Sequence, residues 1–285
     1  MNAAADAEDT TLRLSMDAKA MVKIGPFARG GKNRVLTKAA DHDFEAEATV
    51  TPVGIFLPVL DELFLYAVRS KVTSDCLVDR LIQWWESVKE RFGQIKTLVI
   101  NLDNGPENHS HRTQFMQRLC EFAQTYQITI RLAYYPPYHS KYNAVERCWG
   151  ILEHHWNGAL LDSVDTVVRF AQTMTWKGKH PTVELVTSVY QTGVKLTKEA
   201  MHVVETHLQR WSSLERWFVD IPSSLPAERP QESRPALQEK SPSQKRSRGR
   251  PRIRPLPDPT QPKRPRGRPR KPVLAESITP LAIPG

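Results

Sequence analysis

The chain has 285 residues, 40% of them hydrophobic, and a formal net charge of +9. This length suits one large domain or two small ones, with enough apolar side chains for a core. No run approaches the roughly 18 consecutive apolar residues of a membrane span, and the N-terminus lacks the pattern of a secretion signal. We therefore expect a protein that has no membrane partner.

The positive charge is concentrated in the C-terminal part of the chain. Residues 223–285 contain 15 Lys and Arg against 5 Asp and Glu, a net charge of +10 that leaves the rest of the chain at −1. Of the 22 prolines, 15 lie from Pro222 onward, and no aromatic residue does. We therefore expect residues 222–285 to form a disordered, basic, proline-rich tail that binds polyanions.

The three cysteines, Cys76, Cys120 and Cys148, are widely spaced and form no CxxC pair. This spacing argues against a structural zinc site and against a disulfide scaffold. A reducing, intracellular setting is expected.

The predicted elements begin with strands and continue with strands and helices in alternation. Residues 12–24 alternate between apolar and polar side chains, which predicts a long strand with one buried face and with Asp17 on its polar face. Further strands are predicted over residues 48–53, 63–68, 98–103 and 128–133. Helices are predicted over residues 73–91, 112–126, 144–156, 164–175, 183–190 and 198–218. This order predicts an α/β domain over residues 12–221, a mixed sheet flanked by helices, after a short extension over residues 1–11.

Asp103 ends an apolar run and is followed at once by Asn104-Gly105-Pro106. An unbroken apolar run is typical of a central strand that is covered on both faces. Ligands of open α/β sheets bind beyond the carboxyl ends of such strands, which is where Asp103 is expected. Asp-Asn-Gly is also common turn chemistry, so Asp103 could instead start a turn without any further role.

Glu146 lies three residues after Asn143, in the first turn of a predicted helix. It borders the apolar stripe of that helix, formed by Val145, Trp149, Leu152 and Trp156. A carboxylate at the margin between core and cleft suits a metal ligand. The alternative is that Glu146 only completes a capping box with Asn143. Glu153, on the same side of the helix, is a possible supporting or substitute acid.

A third carboxylate from an upstream strand would complete a metal site. Asp17 is one candidate, and Asp41, Asp43 and Asp61 compete with it. Converging carboxylates suit Mg²⁺ or Mn²⁺, and a two-metal site can activate an attacking hydroxyl and stabilise a leaving oxygen. The hypothesis is therefore metal-dependent phosphodiester chemistry.

Several longer motifs carry a family resemblance. They are LVINLDNGPEN at 98–108, LAYYPPYHSKYN at 132–143, DAKAMVKIG at 17–25, KVTSD at 71–75 and TGVKLTK at 192–198. With them the chain resembles the ISAzo13-type insertion-sequence transposases over residues 12–221.

The resemblance implies an RNase H-like fold with a catalytic DDE triad, which falls by motif on Asp17, Asp103 and Glu146. The same three residues would be the ligands of Mg²⁺ or Mn²⁺. Such enzymes cut DNA at transposon ends and join the freed 3′-hydroxyl to target DNA. The implied partners are DNA and further copies of the chain, and the implied location is the cytoplasm of a prokaryote, at the nucleoid.

The chain departs from the family pattern at two places. Complete members carry an N-terminal DNA-recognition region ahead of the first Asp, whereas Asp17 is almost at the start here, so we expect that region to be missing. The related motif also often has Pro after the Asn, where this chain has Asn143-Ala144, a benign change at an early helix position.

The tail contains one internal repeat, Arg248-Gly249-Arg250-Pro251-Arg252 and Arg266-Gly267-Arg268-Pro269-Arg270. The repeat resembles the AT-hook, in which Gly lets the backbone sink into a narrow groove and Arg side chains follow the floor of A·T-rich minor grooves. A generic basic tail, or a nuclear-localisation-like run, is the alternative interpretation.

Other residues are also candidates for DNA or metal binding. Lys19 and Lys23 are predicted to contact DNA, and the loop with Arg29, Gly30-Gly31 and Lys32 is a candidate phosphate contact. Tyr134, Tyr135 and Tyr138 could stack on bases, although packing is the commoner use. The pairs His109/His111 and His154/His155 lack partners that would make them a metal site and are expected on helix surfaces. Trp84 and Trp85 are expected in the core.

Three functions remain open on the sequence alone. The leading one is a DNA transposase catalytic domain. The second is an inactive, truncated relic that binds AT-rich DNA through its tail. The third is a different RNase H-like nuclease that acts on RNA–DNA hybrids or junctions, which the long shared motifs disfavour.

Overall fold

The computed structural model of the chain describes residues 1–32, 38–40, 45–46, 48–136 and 142–224. The strands are β1 (Thr11–Ala18), β2 (Val22–Ile24), β3 (Ala48–Leu57), β4 (Glu62–Val68), β5 (Thr97–Leu102), β6 (Thr129–Tyr134), β7 (Thr182–Val186), β8 (Gln209–Arg210) and β9 (Phe218–Ile221). The helices are α1 (Asn2–Asp6), α2 (Ser74–Val88), α3 (Thr113–Tyr126), α4 (Ala144–His155), α5 (Val164–Thr173) and α6 (Lys198–Thr206).

The strands form one mixed sheet in the order β7-β4-β3-β1-β5-β6-β9-β8, with β2 attached to β3 beside this path. At its centre β1, β5 and β6 are parallel neighbours, whereas β3 runs antiparallel to both β1 and β4. Parallel strands present their carboxyl ends at the same edge of a sheet. Residues that end β1 and β5 are therefore delivered to one place.

Helices cover both faces of the sheet. One core lies between the sheet and helices α2 and α3, and it includes Leu14, Ile100 and Trp84. The other core lies between the sheet and helices α4 and α5, and it includes Phe56 and Trp149. The expected mixed sheet flanked by helices is confirmed, and burial on both faces explains the unbroken apolar run of β5. None of the helices within the described ranges is long and apolar enough to cross a membrane.

The prediction of one strand over residues 12–24 with a single buried face was wrong in two respects. The structure divides this segment into β1 and β2, and the polar face of β1 is also covered. Ser15 is fully buried and Asp17 is only 8% exposed, because α4 packs across this face. Alternation along a strand separates two faces, but it does not show that the polar one reaches solvent.

Two predicted helices were also wrong. Residues 183–190 do not form a helix, because Thr182–Val186 pair in parallel with β4. The helix predicted over residues 198–218 ends at Thr206, and Phe218–Ile221 instead pair with β6. In both cases a short segment rich in β-branched and aromatic residues pairs with a strand that is distant in sequence, and this pairing overrides the local helical pattern.

Candidate active site

Three acids converge at one end of the sheet. Asp17 is the penultimate residue of β1, and Asp103 directly follows β5. These strands are parallel neighbours with Ser15 opposite Asn101, so the two acids leave the sheet at the same edge. Glu146 lies in the first turn of α4, which packs on β1 and β3 and is close enough for its charge to act on Asp17.

A hydrogen-bonded clasp joins the first turn of α4 to β1. Ser15 Oγ donates to Asn143 Oδ1 at 2.5 Å and accepts from the backbone nitrogen of Val145 at 2.9 Å. The Asn143 amide also donates to the carbonyl of Met16 at 3.4 Å. The alternative interpretation of Glu146, a capping box with Asn143, is not supported, because the Asn143 side chain bonds to β1 and caps no helix N–H. A hydroxyl from the neighbouring strand thus serves the helix terminus, and losing such a buried bond costs about 1–3 kcal/mol.

Trp149 makes a second connection between α4 and β1. Its indole Nε1 donates to Asp17 Oδ2 at 2.8 Å, and both side chains are buried. The ring lies against Gly54, which is paired with Asp17 across the β1–β3 ladder. One carboxylate oxygen of Asp17 is therefore held by a helix that packs on its strand.

Asp103 is held by the loop that follows it. Asn108 Nδ2 donates to Asp103 Oδ1 at 2.9 Å, and Asn108 is itself fixed by the Tyr134 hydroxyl, which donates to its carbonyl at 2.7 Å. A Cβ at Gly105 would lie 3.3 Å from both Asp103 carboxylate oxygens, so a side chain there would crowd the acid. Asp103 and Asp17 line a cavity of about 170 Å³, shared with Gly105 and Asn108.

The electrostatics of the site reflect its concentration of negative charge. Burial, the largest cause, and the charges of Asp103 and Glu146 together raise the pKa of Asp17 to about 7, although the hydrogen bond from Trp149 opposes this rise. Burial also raises the pKa of Glu146, as does Asp103, whereas Lys19 lowers it. Asp17 and Glu146 are therefore harder to ionise because other carboxylates lie close to them.

The donor atoms of the site fit a hard divalent cation. Each of the three acids offers carboxylate oxygens, and a cation between them would relieve the repulsion that raises the pKa of Asp17. Within the described ranges, however, no group of three or more His, Cys, Asp or Glu side chains is arranged to hold a metal ion. The fit therefore lies in the chemistry of the donors, and the side chains would have to draw closer around an ion.

A family model described as the Rhodopirellula transposase DDE domain matches residues 1–223. The chain belongs to this family. The match confirms the resemblance to ISAzo13-type transposases, and the mixed sheet flanked by helices is the RNase H-like fold that this resemblance implied.

Comparison with solved structures adds two distant neighbours of this DDE-domain chain. One is a Mos1 transposase paired-end complex with its left transposon end, with 10% identity, coverage of 55% of this chain and 46% of that chain, and a TM-score of 0.42. The chain thus spans about half the length of that Mos1 chain. The other is a human cytomegalovirus terminase nuclease domain, with 12% identity, coverage of 68% and 72%, and a TM-score of 0.24. No curated protein matches, and because both TM-scores are low, membership rests on the family match.

Among the competitors for the first acid of the DDE family, Asp61 is placed elsewhere. It lies in the turn between β3 and β4, where it accepts from Trp176 Nε1 at 3.0 Å and from Lys177 at 3.1 Å. Because β3 is antiparallel to β1, this turn is at the opposite end of the sheet from Asp17. Asp41 and Asp43 lie outside the described residues.

The two lysines predicted to contact DNA are engaged within the domain. Lys19 forms an ion pair with Glu153, whose other oxygen accepts from Trp156 Nε1 at 2.9 Å. Lys23 lies over the ring of Phe27, at 5.5 Å from its centroid. Glu153 thus supports Lys19 rather than joining the three acids, and DNA contacts by Lys19 and Lys23 stay predictions.

The glycine-rich loop packs on the end of α4. Gly30 accepts a backbone hydrogen bond from Gly158 at 2.7 Å, and a Cβ at Gly31 would lie 2.9 Å from the Gly158 nitrogen. Both glycines have positive φ angles, so side chains would be strained there as well. These contacts give the two glycines a structural reason that is independent of phosphate binding.

The remaining candidates take mostly structural places. Trp84 and Trp85 are buried in the core, as expected. Tyr134 is also buried, which favours packing over the stacking of its ring on bases. The candidate histidines belong to no metal-binding group among the described residues. Tyr138 and both AT-hook-like repeats, 248–252 and 266–270, lie outside the described residues, so their roles stay predictions.

Four residues that support the acids had no recognised role in the sequence. Asn108 lies in the long motif at 98–108, and Ser15 lies in the alternating strand. Both are polar residues for which the sequence indicates no partner. Trp149 belongs to the apolar stripe of its helix, so the sequence pattern indicates only a core residue. Gly54 gave no signal, because its pairing with Asp17 depends on a strand register that the sequence does not reveal.

Proposed function

We propose that residues 12–221 form the catalytic domain of a DDE transposase, which cuts DNA strands at insertion-sequence ends and joins them to target DNA. The observation that carries this proposal is the convergence of Asp17, Asp103 and Glu146 from three elements at one end of the sheet. Family membership supports a transposase or nuclease activity. The roles of these three residues and the identity of the DNA are part of the proposal.

The three acids would hold Mg²⁺ or Mn²⁺. When bound there, a pair of such ions supplies activation of an attacking hydroxyl and stabilisation of the leaving oxygen. The protein contributes the placement of the carboxylates: β1 and β5 fix Asp17 and Asp103 on neighbouring strands, and the clasp from Ser15 fixes the helix that carries Glu146. Lys19 lowers the pKa of Glu146, and so favours the ionised form that binds cations.

The function is tested with DNA that carries the terminal sequences of the flanking element. The full chain is incubated with this DNA in Mg²⁺, in Mn²⁺ and in chelator, and cleaved and joined strands are separated on denaturing gels. Metal-dependent nicking at the element ends followed by joining supports a transposase. Metal-dependent cutting without joining, or cutting only of RNA–DNA hybrids, would instead indicate a nuclease.

The second candidate function is AT-rich DNA binding by the tail, and the duplicated Arg-Gly-Arg-Pro sequence favours it. Deletion of residues 243–272 removes both repeats. We expect this deletion to weaken binding of AT-rich duplex DNA at least about tenfold and to flatten the dependence of affinity on salt, because phosphate and minor-groove contacts are lost. Fluorescence anisotropy at several salt concentrations measures both effects.

A double substitution separates AT-hook recognition from plain charge. Arg250→Lys with Arg268→Lys retains the net charge but removes the guanidinium groups that suit the narrow groove. An AT-hook should lose its preference for AT-rich over GC-rich DNA in this variant. If the deletion variant binds DNA with the same affinity as the full chain, the tail is not the DNA-binding segment.

A further inference from the structure

The hydrogen bond between Trp149 and Asp17 is more than a buried contact of the core. Trp149 Nε1 donates to Asp17 Oδ2 at 2.8 Å, and the side chain of Asp17 is nearly enclosed. We propose that Trp149 is a positioning residue, which fixes the orientation of the Asp17 carboxylate for metal binding. This inference rests on the proposed function, since it assigns a role to Trp149 only if Asp17 is a metal ligand.

The backbone opposite Asp17 is shaped to admit the indole ring. Gly54 is the residue paired with Asp17 on β3. A Cβ built at Gly54 would lie 2.6 Å and 2.9 Å from two carbons of the Trp149 ring, closer than side chains approach one another. Because Gly54 has no side chain, the indole ring can lie against the sheet at this position and reach the Asp17 carboxylate. A ring that only filled the core would not require its N–H to end on the one acid of this strand.

The same helix also carries another of the three acids. Glu146 and Trp149 are three residues apart on α4, so they lie on neighbouring turns of one rigid element. The Ser15 clasp holds the start of this helix against β1, and Trp149 holds it one turn further on. The position of α4 thus sets the placement of Glu146 and the orientation of Asp17 together.

This single hydrogen bond is expected to have a large effect on metal binding. A bond from a neutral donor to a carboxylate is stronger than one between neutral groups, and it is stronger again in a buried site. Groups that orient a metal ligand through hydrogen bonds typically change metal affinity by about 10–100-fold when they are removed. Trp149 is therefore expected to act on metal affinity more than on the stability of the fold.

Trp149→Phe tests this inference, because it removes the N–H donor and keeps an aromatic ring. Mn²⁺ is titrated into the full chain, and free Mn²⁺ is followed by electron paramagnetic resonance. We expect Mn²⁺ affinity to fall at least about tenfold, and the Mn²⁺ concentration that gives half-maximal strand cleavage to rise by a similar factor. Cleavage at saturating Mn²⁺ should recover towards the wild-type rate.

Trp156→Phe is the matched control. Trp156 directly follows the same helix, is fully buried and also donates its indole N–H to a carboxylate, but the acceptor is Glu153. This variant should bind Mn²⁺ as the wild type does. Equal weakening in the two variants would show a general loosening of α4 and would overturn the proposal.

Gly54→Ala provides a second route to the same test. It leaves the indole N–H in place but forces the ring to shift away from Asp17. Mn²⁺ affinity should fall in this variant as well, while thermal unfolding without metal confirms that each variant is folded. Unchanged affinity in Trp149→Phe and Gly54→Ala overturns the inference alone, whereas no Mn²⁺ binding by the wild type overturns the metal site itself.

Discussion

Glu146→Gln is expected to reduce metal-dependent DNA cleavage at least about 10³-fold while the domain remains folded. The acids of a metal site act as a unit, so the loss of one removes most of the rate rather than a third of it. The amide is nearly the same size as the carboxylate, so the change should leave the packing of α4 intact. Removal of a charge that raises the pKa of Asp17 should not destabilise the fold.

The effect of Glu146→Gln is measured by initial rates of strand cleavage in Mg²⁺ and in Mn²⁺, with thermal unfolding as a check on folding. Glu153→Gln is the matched control, since it alters a carboxylate on the same helix that pairs with Lys19. This control should retain most of the activity. Cleavage by Glu146→Gln at the wild-type rate would remove Glu146 from the proposed triad, as would an equal loss in both variants.

Asp17→Asn is expected to stabilise the metal-free protein at pH 8 and to abolish its cleavage activity. The ordinary pKa of this carboxyl is 3.8, and burial with two neighbouring acids raises it to about 7 in the folded protein. As pH rises from about 4 to about 7, the unfolded chain is ionised while the folded chain resists ionisation, so folding loses stability across this window. Above it the penalty is constant, up to about 4 kcal/mol at about 1.4 kcal/mol per pKa unit.

Urea denaturation between pH 4 and pH 8.5 in chelator measures this effect. The Asn variant removes the ionisable group and can still accept from Trp149, so its advantage should appear as pH rises and vanish near pH 4. Mn²⁺ should narrow the difference at pH 8, because a bound cation stabilises only the protein that has the carboxylate. A variant less stable than the wild type at pH 8 would contradict the prediction.

Asp220→Asn is a control with the opposite sign. Asp220 accepts two hydrogen bonds from the guanidinium of Arg131, at 2.8 Å and 2.9 Å. Its carboxylate is therefore favourable to the fold, and its removal should destabilise the protein at pH 8. Opposite effects of the same substitution at Asp17 and Asp220 would show that an ionised carboxylate destabilises the fold at the candidate site and not at aspartates generally.

The sequence predicted the placement of Asp103 and Glu146 because strong local patterns surround them. An unbroken apolar run marks the strand before Asp103, and a helical stripe marks the side of α4 on which Glu146 borders the core. Asp17 was weaker by its local pattern, and it was chosen through family resemblance. Its burial could not be foreseen, because the helix that covers it lies about 130 residues further along the chain.

The errors have the same physical origin as the missed supporting residues. The strands β7 and β9 are short, and each exists because a distant strand offers it a hydrogen-bonding edge. Gly54 and Trp149 likewise acquire their roles only when β3 and α4 meet at Asp17. Local patterns determine the elements, whereas register and packing determine which side chains support the acids.

The strands that carry the acids come early in the chain, whereas two strands that cover edges of the sheet come late, and this order limits how short a useful fragment can be. All three acids lie before residue 147, but the outer edges of β4 and β6 are covered by β7 and β9, from residues 182–186 and 218–221. A fragment that ends soon after α4 would keep every proposed ligand and expose two unpaired edges flanked by apolar side chains. Such edges pair with strands of other molecules, so aggregation rather than loss of the acids would limit the fragment. The late strands β7 and β9 therefore protect the domain from aggregation.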